Sequence, residues 1–170
     1  EYIGMISRKT GALIRCSVNL GSYIGSVYTS SALGAECVSR FREVGEQLGY
    51  AFQIRDDILG VWGHEEDTGK QVGLDIRRKK NSLPIVHALA TADKNELVVL
   101  KKIYSGDVVS DNDVERVLEI LKSLGSQKHA EDLTFQYCER ALKVLDTIGI
   151  DTKSRCEMED LIEFLLVRTY

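Results

Sequence analysis

The segment Phe52-Gln53-Ile54-Arg55-Asp56-Asp57-Ile58-Leu59-Gly60 sets two adjacent carboxylates inside an apolar run. Its polar members Gln53, Asp56, Asp57 and Gly60 stand at i, i+3, i+4 and i+7, which puts them on one stripe of a helix, among Phe52, Ile54, Ile58, Leu59 and Val61. Outward from it, apolar residues keep recurring at three- and four-residue steps, and Pro84 is the only proline in 170 residues. That is helical period rather than strand alternation, so the chain is predicted to be all-α.

Helices are expected at about 1–30, 35–63, 82–91, 93–104, 111–124, 126–148 and 154–170. Asp93 with Glu96 and Ser154 with Glu157 have the capping-box spacing, in which each side chain bonds the other residue's free backbone N–H. Gly106, Gly125 and Gly149 each follow a periodic segment, where glycine can take the left-handed conformation without a Cβ penalty. Residues 64–81 form one long irregular stretch, expected to be functional or disordered.

A chain of this length, 44% hydrophobic and 28% charged, has the makings of a globular core. With 22 Lys and Arg against 26 Asp and Glu, the net charge of −4 gives no electrostatic reason to expect nucleic acid or an anionic membrane surface as partner. The run Arg77-Arg78-Lys79-Lys80 is a local exception that can attract a phosphate. No apolar run approaches the roughly 18 residues of a membrane span. Cys16, Cys37, Cys138 and Cys156 are scattered with no C-x-x-C pair. With no secretory or transit segment visible, they are expected to be reduced thiols in a cytoplasmic protein. Tyr2-Ile3-Gly4-Met5-Ile6 reads as the interior of an amphipathic element, so further chain is expected upstream of Glu1.

Two carboxylates about 6 Å apart, at an effective dielectric near 20, repel by roughly 3 kcal/mol. A counter-ion relieves that. Mg²⁺ suits the position because it takes one or two protein carboxylates and fills its remaining places with water and phosphate oxygens. Thr68-Gly69-Lys70 follows on the loop, where a glycine-flanked lysine can fold back over an ion and neutralise phosphate oxygens. Lys80-Asn81-Ser82-Leu83-Pro84 then opens a helix, with Ser82 as the expected N-cap and Lys80 beside the positive end of the helix dipole. Lys9-Thr10-Gly11, ahead of Leu13, Ile14 and Val18, adds a cation and a hydroxyl. His64, His87 and His129 have no metal-ligand spacing and are expected at the surface or in the core. Cys16 and Cys37 are expected to pack as small apolar groups, and Tyr50 and Trp62 to belong to the core.

In order and spacing, Lys9-Thr10, Phe52 to Gly60, Thr68-Gly69-Lys70 and Lys80 to Pro84 resemble the trans-polyprenyl diphosphate synthases, the geranylgeranyl and farnesyl diphosphate synthase-like family. The resemblance is strong from Glu1 to about Leu89. It implies the C-terminal portion of a helical bundle of the isoprenoid synthase type, with residues 1–170 forming part of a single synthase domain. The F-Q-x-x-D-D segment matches the family's second aspartate-rich motif. By resemblance Asp56 binds Mg²⁺ with support from Gln53, and Asp57 is the motif's second carboxylate. Lys9, Thr10 and Lys70 are implied to contact the substrate diphosphate, and Lys80 to lie near it.

The implied reaction is head-to-tail elongation, in which an allylic diphosphate ionises and isopentenyl diphosphate attacks the cation. Gly60 departs from the family pattern, which usually has a third Asp there. The first aspartate-rich motif of the family is absent from these 170 residues, so the chain alone is expected to be inactive. It is expected to act as a homodimer or with the missing N-terminal half. A non-catalytic helical partner of an active synthase is the alternative, and a terpene cyclase of similar fold fits the Lys-Thr and Thr-Gly-Lys elements less well.

Overall fold

The computed structural model describes residues 1–28, 34–63 and 72–167. Among these are nine helices and no strand: α1 (Tyr2–Arg8), α2 (Thr10–Tyr28), α3 (Ala35–Trp62), α4 (Leu74–Arg77), α5 (Leu83–Thr91), α6 (Lys94–Ser105), α7 (Asp111–Ser123), α8 (Ser126–Leu145) and α9 (Thr152–Val167). The all-α expectation holds.

Several boundaries differ from those expected. The single helix over 1–30 is broken at Lys9, whose φ of −106° and ψ of −103° leave the helical region. A short helix, α4, interrupts the stretch expected to be irregular. The last helix starts at Thr152 because the Asp151 carboxylate accepts from the Ser154 N–H at 3.0 Å and from its hydroxyl at 2.7 Å, one turn before the expected Ser154 and Glu157 pair. The Asp93–Glu96 capping box forms as expected, and Ser110 with Asp113 makes a second one. Of the three glycines expected to close helices in the left-handed region, only Gly125 does so, at φ 64°. Gly106 is extended, at φ −67° and ψ 165°.

Two compact units divide the chain, and α3 and α8 contribute to both. The first comprises Glu1–Gln53 and the residues from Leu133 on. Ile6, Val44, Leu48, Ala51, Cys138, Ala141, Leu145 and Ile162 are its buried apolar groups. Each large one contributes about 1.5–3 kcal/mol relative to exposure. Tyr50 packs edge-on against Tyr137, with ring centres 5.1 Å apart. Cys16, expected to be packed, is exposed.

The tightest approach in this unit is between helix backbones. A Cβ on Gly49 would lie 2.6 Å from the Cα of Gly11, and one on Gly45 would lie 3.0 Å from the Cα of Arg15. Those glycines, four residues apart, give α3 a bare strip that α2 rests on.

The second unit is Ile54–Asp132. Val114, Val117, Ile120 and Leu121 line one face of α7 at helical spacing, and α4, α5 and α6 pack on that helix. Val61, Ile76, Ile85 and Leu100 complete the core. The turn into α4 depends on Gly73, at φ 74°, whose N–H donates to the Val61 carbonyl at 3.0 Å. Any side chain there would be strained by the backbone angle and blocked by Val114.

Candidate functional site

In the first unit the helix break exposes Lys9 and makes Thr10 the first residue of α2. Because Gly11 rests directly on Gly49, the Thr10 hydroxyl reaches the Gln53 side chain one turn along α3 and donates to its Oε1 at 2.5 Å. Gln53 is buried, so its orientation is fixed by this bond and by the surrounding packing. Three residues expected to act together, Lys9, Thr10 and Gln53, therefore belong to one unit, and two of them touch.

In the second unit, Asp56 and Asp57 sit side by side on α3 with different environments. The Asp57 side chain is 1% exposed, that of Asp56 39%. Asp57 Oδ2 accepts the Leu83 N–H at 2.7 Å, and its Oδ1 lies 3.0 Å from the Lys80 ammonium. This corrects the expected cap of α5. Ser82 occupies the N-cap position with Pro84 behind it, but its hydroxyl is buried with no hydrogen-bond partner, and the carboxylate from α3 satisfies the helix's first amide instead.

Lys80 gathers three carboxylates: Asp75 Oδ2 at 2.9 Å, Asp57 Oδ1 at 3.0 Å and Asp56 Oδ2 at 3.5 Å. Its approach depends on Lys79, which takes the left-handed conformation at φ 50° and turns the chain back after α4. Burial works against the Lys80 charge, but hydrogen bonds and attraction from Asp75 and Asp57 outweigh it and hold the ammonium above its ordinary pKa. Burial pushes the Asp75 carboxyl up, Lys80 partly offsets this, and Asp57 and Asp56 add to the rise.

A cavity of about 340 Å³ is lined by Asp56, Gly60, Leu74, Asp75, Arg78 and Lys80. The basic run is thus divided between tasks. Arg77 pairs with Asp111 at 2.7 Å and Lys79 donates to the Gly106 carbonyl, while Arg78 and Lys80 bring positive charge to the cavity wall. Asp75 and Arg78 were not singled out as site residues from sequence. The only signal was the basic run itself, which does not say which of its members face inward. Lys70, with Thr68 and Gly69, lies outside the described residues, as does His64.

The donor chemistry at this cavity suits a hard divalent cation. Among the described residues no group of three or more His, Cys, Asp or Glu side chains is arranged to hold a metal ion. Mg²⁺ requires fewer: a partly exposed aspartate such as Asp56 suffices when water and phosphate oxygens complete the shell. Also among the described residues, no helix is long and apolar enough to cross a membrane.

Residues 1–121 match the family model described as polyprenyl synthetase. Geranylfarnesyl diphosphate synthase of Aeropyrum pernix is 34% identical over 99% of this chain and 50% of its own length. Geranylgeranyl diphosphate synthase of Saccharolobus solfataricus is 34% identical over 91% of this chain and 44% of its own. Among solved structures, geranylgeranyl pyrophosphate synthetase of Pyrococcus horikoshii superposes with a TM-score of 0.86 at 32% identity, covering 98% of this chain and 48% of that one. A Corynebacterium glutamicum geranylgeranyl pyrophosphate synthase complexed with isoprenyl diphosphate and magnesium has a TM-score of 0.70 at 27% identity, covering 79% and 38%. The chain spans about half the length of the curated relatives it matches. Its helices have the all-α isoprenoid synthase fold, and the chain belongs to the polyprenyl synthetase family.

Proposed function

We propose that residues 1–170 are the C-terminal part of a polyprenyl diphosphate synthase domain that elongates an allylic diphosphate with isopentenyl diphosphate, and that this part receives the diphosphate leaving group. The observation that carries the reading is the cavity wall on which Asp56 stands beside Arg78 and Lys80, in a chain of this family. Polyanion binding needs fixed cations, and binding of its metal needs an accessible carboxylate. Both occur on one small surface.

In this reading Asp56 is the residue that would hold Mg²⁺, which when bound supplies countercharge to the departing diphosphate. Asp57 adds negative charge beside it, while its own oxygens hold Lys80 and the start of α5. Gln53, oriented by Thr10, supports the motif. Lys9, Thr10 and Lys70 contact the diphosphate, as the family resemblance implies. These groups are fixed before the allylic C–O bond breaks, so charge building on the leaving oxygens meets donors that need not reorganise. Apolar helix faces keep water from the cation. Loss of a proton from the adduct completes the product. The missing metal motif would come from an N-terminal half or a second copy.

In the complete protein, Asp56→Ala and Lys70→Ala should each lower turnover by about a hundredfold or more while moving the melting temperature little. Steady-state rates beside a melting curve test this, and unchanged turnover would overturn the assignment. The second reading, a non-catalytic partner subunit, is favoured by Gly60 standing where the family usually has Asp. Titration with Mg²⁺ and an allylic diphosphate separates the two, because such a partner shows no magnesium-dependent binding.

A further inference from the structure

The geometry points to Asp75 as a positioning residue of the diphosphate site, one that supplies from α4 the carboxylate that α3 lacks at Gly60. This rests on the reading of Asp56 and Lys80 given above, and its ground is a shared volume. A Cβ built on Gly60 would collide with the Asp75 carboxylate, and even the farther oxygen, Oδ1, would be 2.9 Å away. Residue 60 can carry no side chain while Asp75 stays where it is. Conversely, the Asp75 carboxylate lies against α3 one turn beyond Asp56, on the wall of the same cavity. The bareness of Gly60 and the presence of Asp75 are one feature.

The segment that delivers Asp75 is built to hold it there. Gly73 starts the turn with a backbone angle that suits glycine, and Lys79 ends it in the left-handed conformation. Between them, the Lys80 N–H donates to the Asp75 carbonyl at 2.9 Å and the Lys80 ammonium donates to Oδ2 at 2.9 Å. Acid and base are thus tied twice within one turn.

The consequence for the site is a division of charge. Asp57 and Asp75 take the short bonds to Lys80, at 3.0 and 2.9 Å, and Asp56 stands off at 3.5 Å. Without Asp75, the ammonium would shift toward Asp56 and compete with a metal for that carboxylate. Asp75 therefore acts on the metal and the diphosphate through Lys80 and need touch neither.

The test is calorimetric titration of the 170-residue chain with inorganic pyrophosphate, with and without Mg²⁺, alongside urea unfolding of each variant. Asp75→Asn, which keeps the volume and removes the charge, should weaken magnesium-dependent pyrophosphate binding by about tenfold or more, in the range of residues that orient a metal ligand. Gly60→Asp alone should weaken binding similarly, because two carboxylates compete for one space. Gly60→Asp with Asp75→Gly returns the carboxylate to α3 and should bind within about threefold of the parent. A merely structural Asp75 would change the urea midpoint without moving affinity in the variants that remain folded.

If D75N binds as tightly as the parent, or if the double variant is no better than Gly60→Asp alone, the inference is overturned and the proposed function stands. If the parent itself shows no magnesium-dependent pyrophosphate binding, the proposed function falls. The shared volume is then judged by unfolding alone: Gly60→Ala should lower the urea midpoint, Asp75→Gly added to it should restore the midpoint, and additive losses would overturn the pairing.

Discussion

The two units place their polar groups by opposite means. In the first, the Thr10 hydroxyl meets Gln53 because Gly11, Gly45 and Gly49 carry no side chains, so α2 can rest on the backbone of α3. In the second, Asp57 reaches across to the Leu83 amide and, with Asp75, clamps Lys80 at 2.9 to 3.0 Å. A contact set by shape should answer to volume and be indifferent to pH. One set by charge should answer to neutralisation at nearly constant volume. The difference teaches that neighbouring stretches of one helix can be made precise by steric exclusion at one end and by electrostatics at the other.

The largest expected effect lies on the charged side. Asp57→Ala leaves the buried Leu83 amide without its acceptor and takes a short partner from Lys80, and should destabilise the chain by about 3 kcal/mol. Urea unfolding measures it, and a loss under about 1 kcal/mol would mean that charge is not what holds this end of α3.

The matching cut on the steric side is Gly49→Ala. Helix propensity favours alanine by about 1 kcal/mol, but a methyl group 2.6 Å from the Gly11 Cα must push the helices apart at a cost of about 1–3 kcal/mol. A net loss of about 1–2 kcal/mol is expected, the same at neutral and mildly acidic pH. Gly21→Ala is its control. Gly21 stands inside α2 with nothing within 4 Å of its would-be Cβ, so this substitution should stabilise by about 0.5–1 kcal/mol. Opposite signs for one chemical change would locate the close approach, and equal signs would remove it.

A smaller effect separates Lys80 from Asp75. The folded pKa of Lys80 is raised, so its contribution is fully present below the ordinary lysine value near about 10.4 and is lost as pH rises through the raised value. The gap in urea midpoint between the parent and Lys80→Met should hold steady from about pH 7 to 9 and narrow above about 10.5. Asp75 has the other sign. Its folded pKa is raised as well, and for an acid this means the fold binds the proton more tightly, so stability falls as pH climbs above the ordinary carboxylate value of about 3.9. A parent and Lys80→Met that stay parallel through pH 11 would break the electrostatic half of the comparison.

The sequence made some of this legible and hid the rest for physical reasons. Apolar periodicity located the long helices, because burial of one face leaves a repeat that needs no knowledge of the partner. The stripe through Gln53, Asp56 and Asp57 was visible for the same reason. Local rules failed where a distant group took over. Ser82 has a good N-cap identity, yet Asp57, 26 residues earlier, does the capping. Gly60 reads as a lost ligand until the volume beside it is seen to be filled by Asp75, from a segment that looked irregular. The break at Lys9 left no proline as a marker, and the glycines of the α2–α3 contact look in sequence like any other weak helix formers.

The smallest effect checks whether sensitivity to charge in the second unit reaches beyond its acidic cluster. His87 on α5 stacks on His129 of α8, with ring centres 4.2 Å apart and planes inclined by 19°, and its Nδ1 lies 2.9 Å from the Ser126 hydroxyl. Burial lowers the pKa of His87, and the neighbouring His129 lowers it further. For a base with a depressed pKa, stability is present above the ordinary value of about 6.5 and is lost as pH falls through it. His129 is exposed, so solvent weakens the repulsion and the loss between about pH 7.5 and 5 should stay under about 1 kcal/mol. Asp75 acts against it over part of the same range, since acidification favours the fold there. The measurement therefore belongs in the Asp75→Asn background, where the urea midpoint should fall with acidification and His87→Asn should flatten it. If adding His87→Asn leaves the slope unchanged, the pH response of this unit is confined to the carboxylates around Lys80.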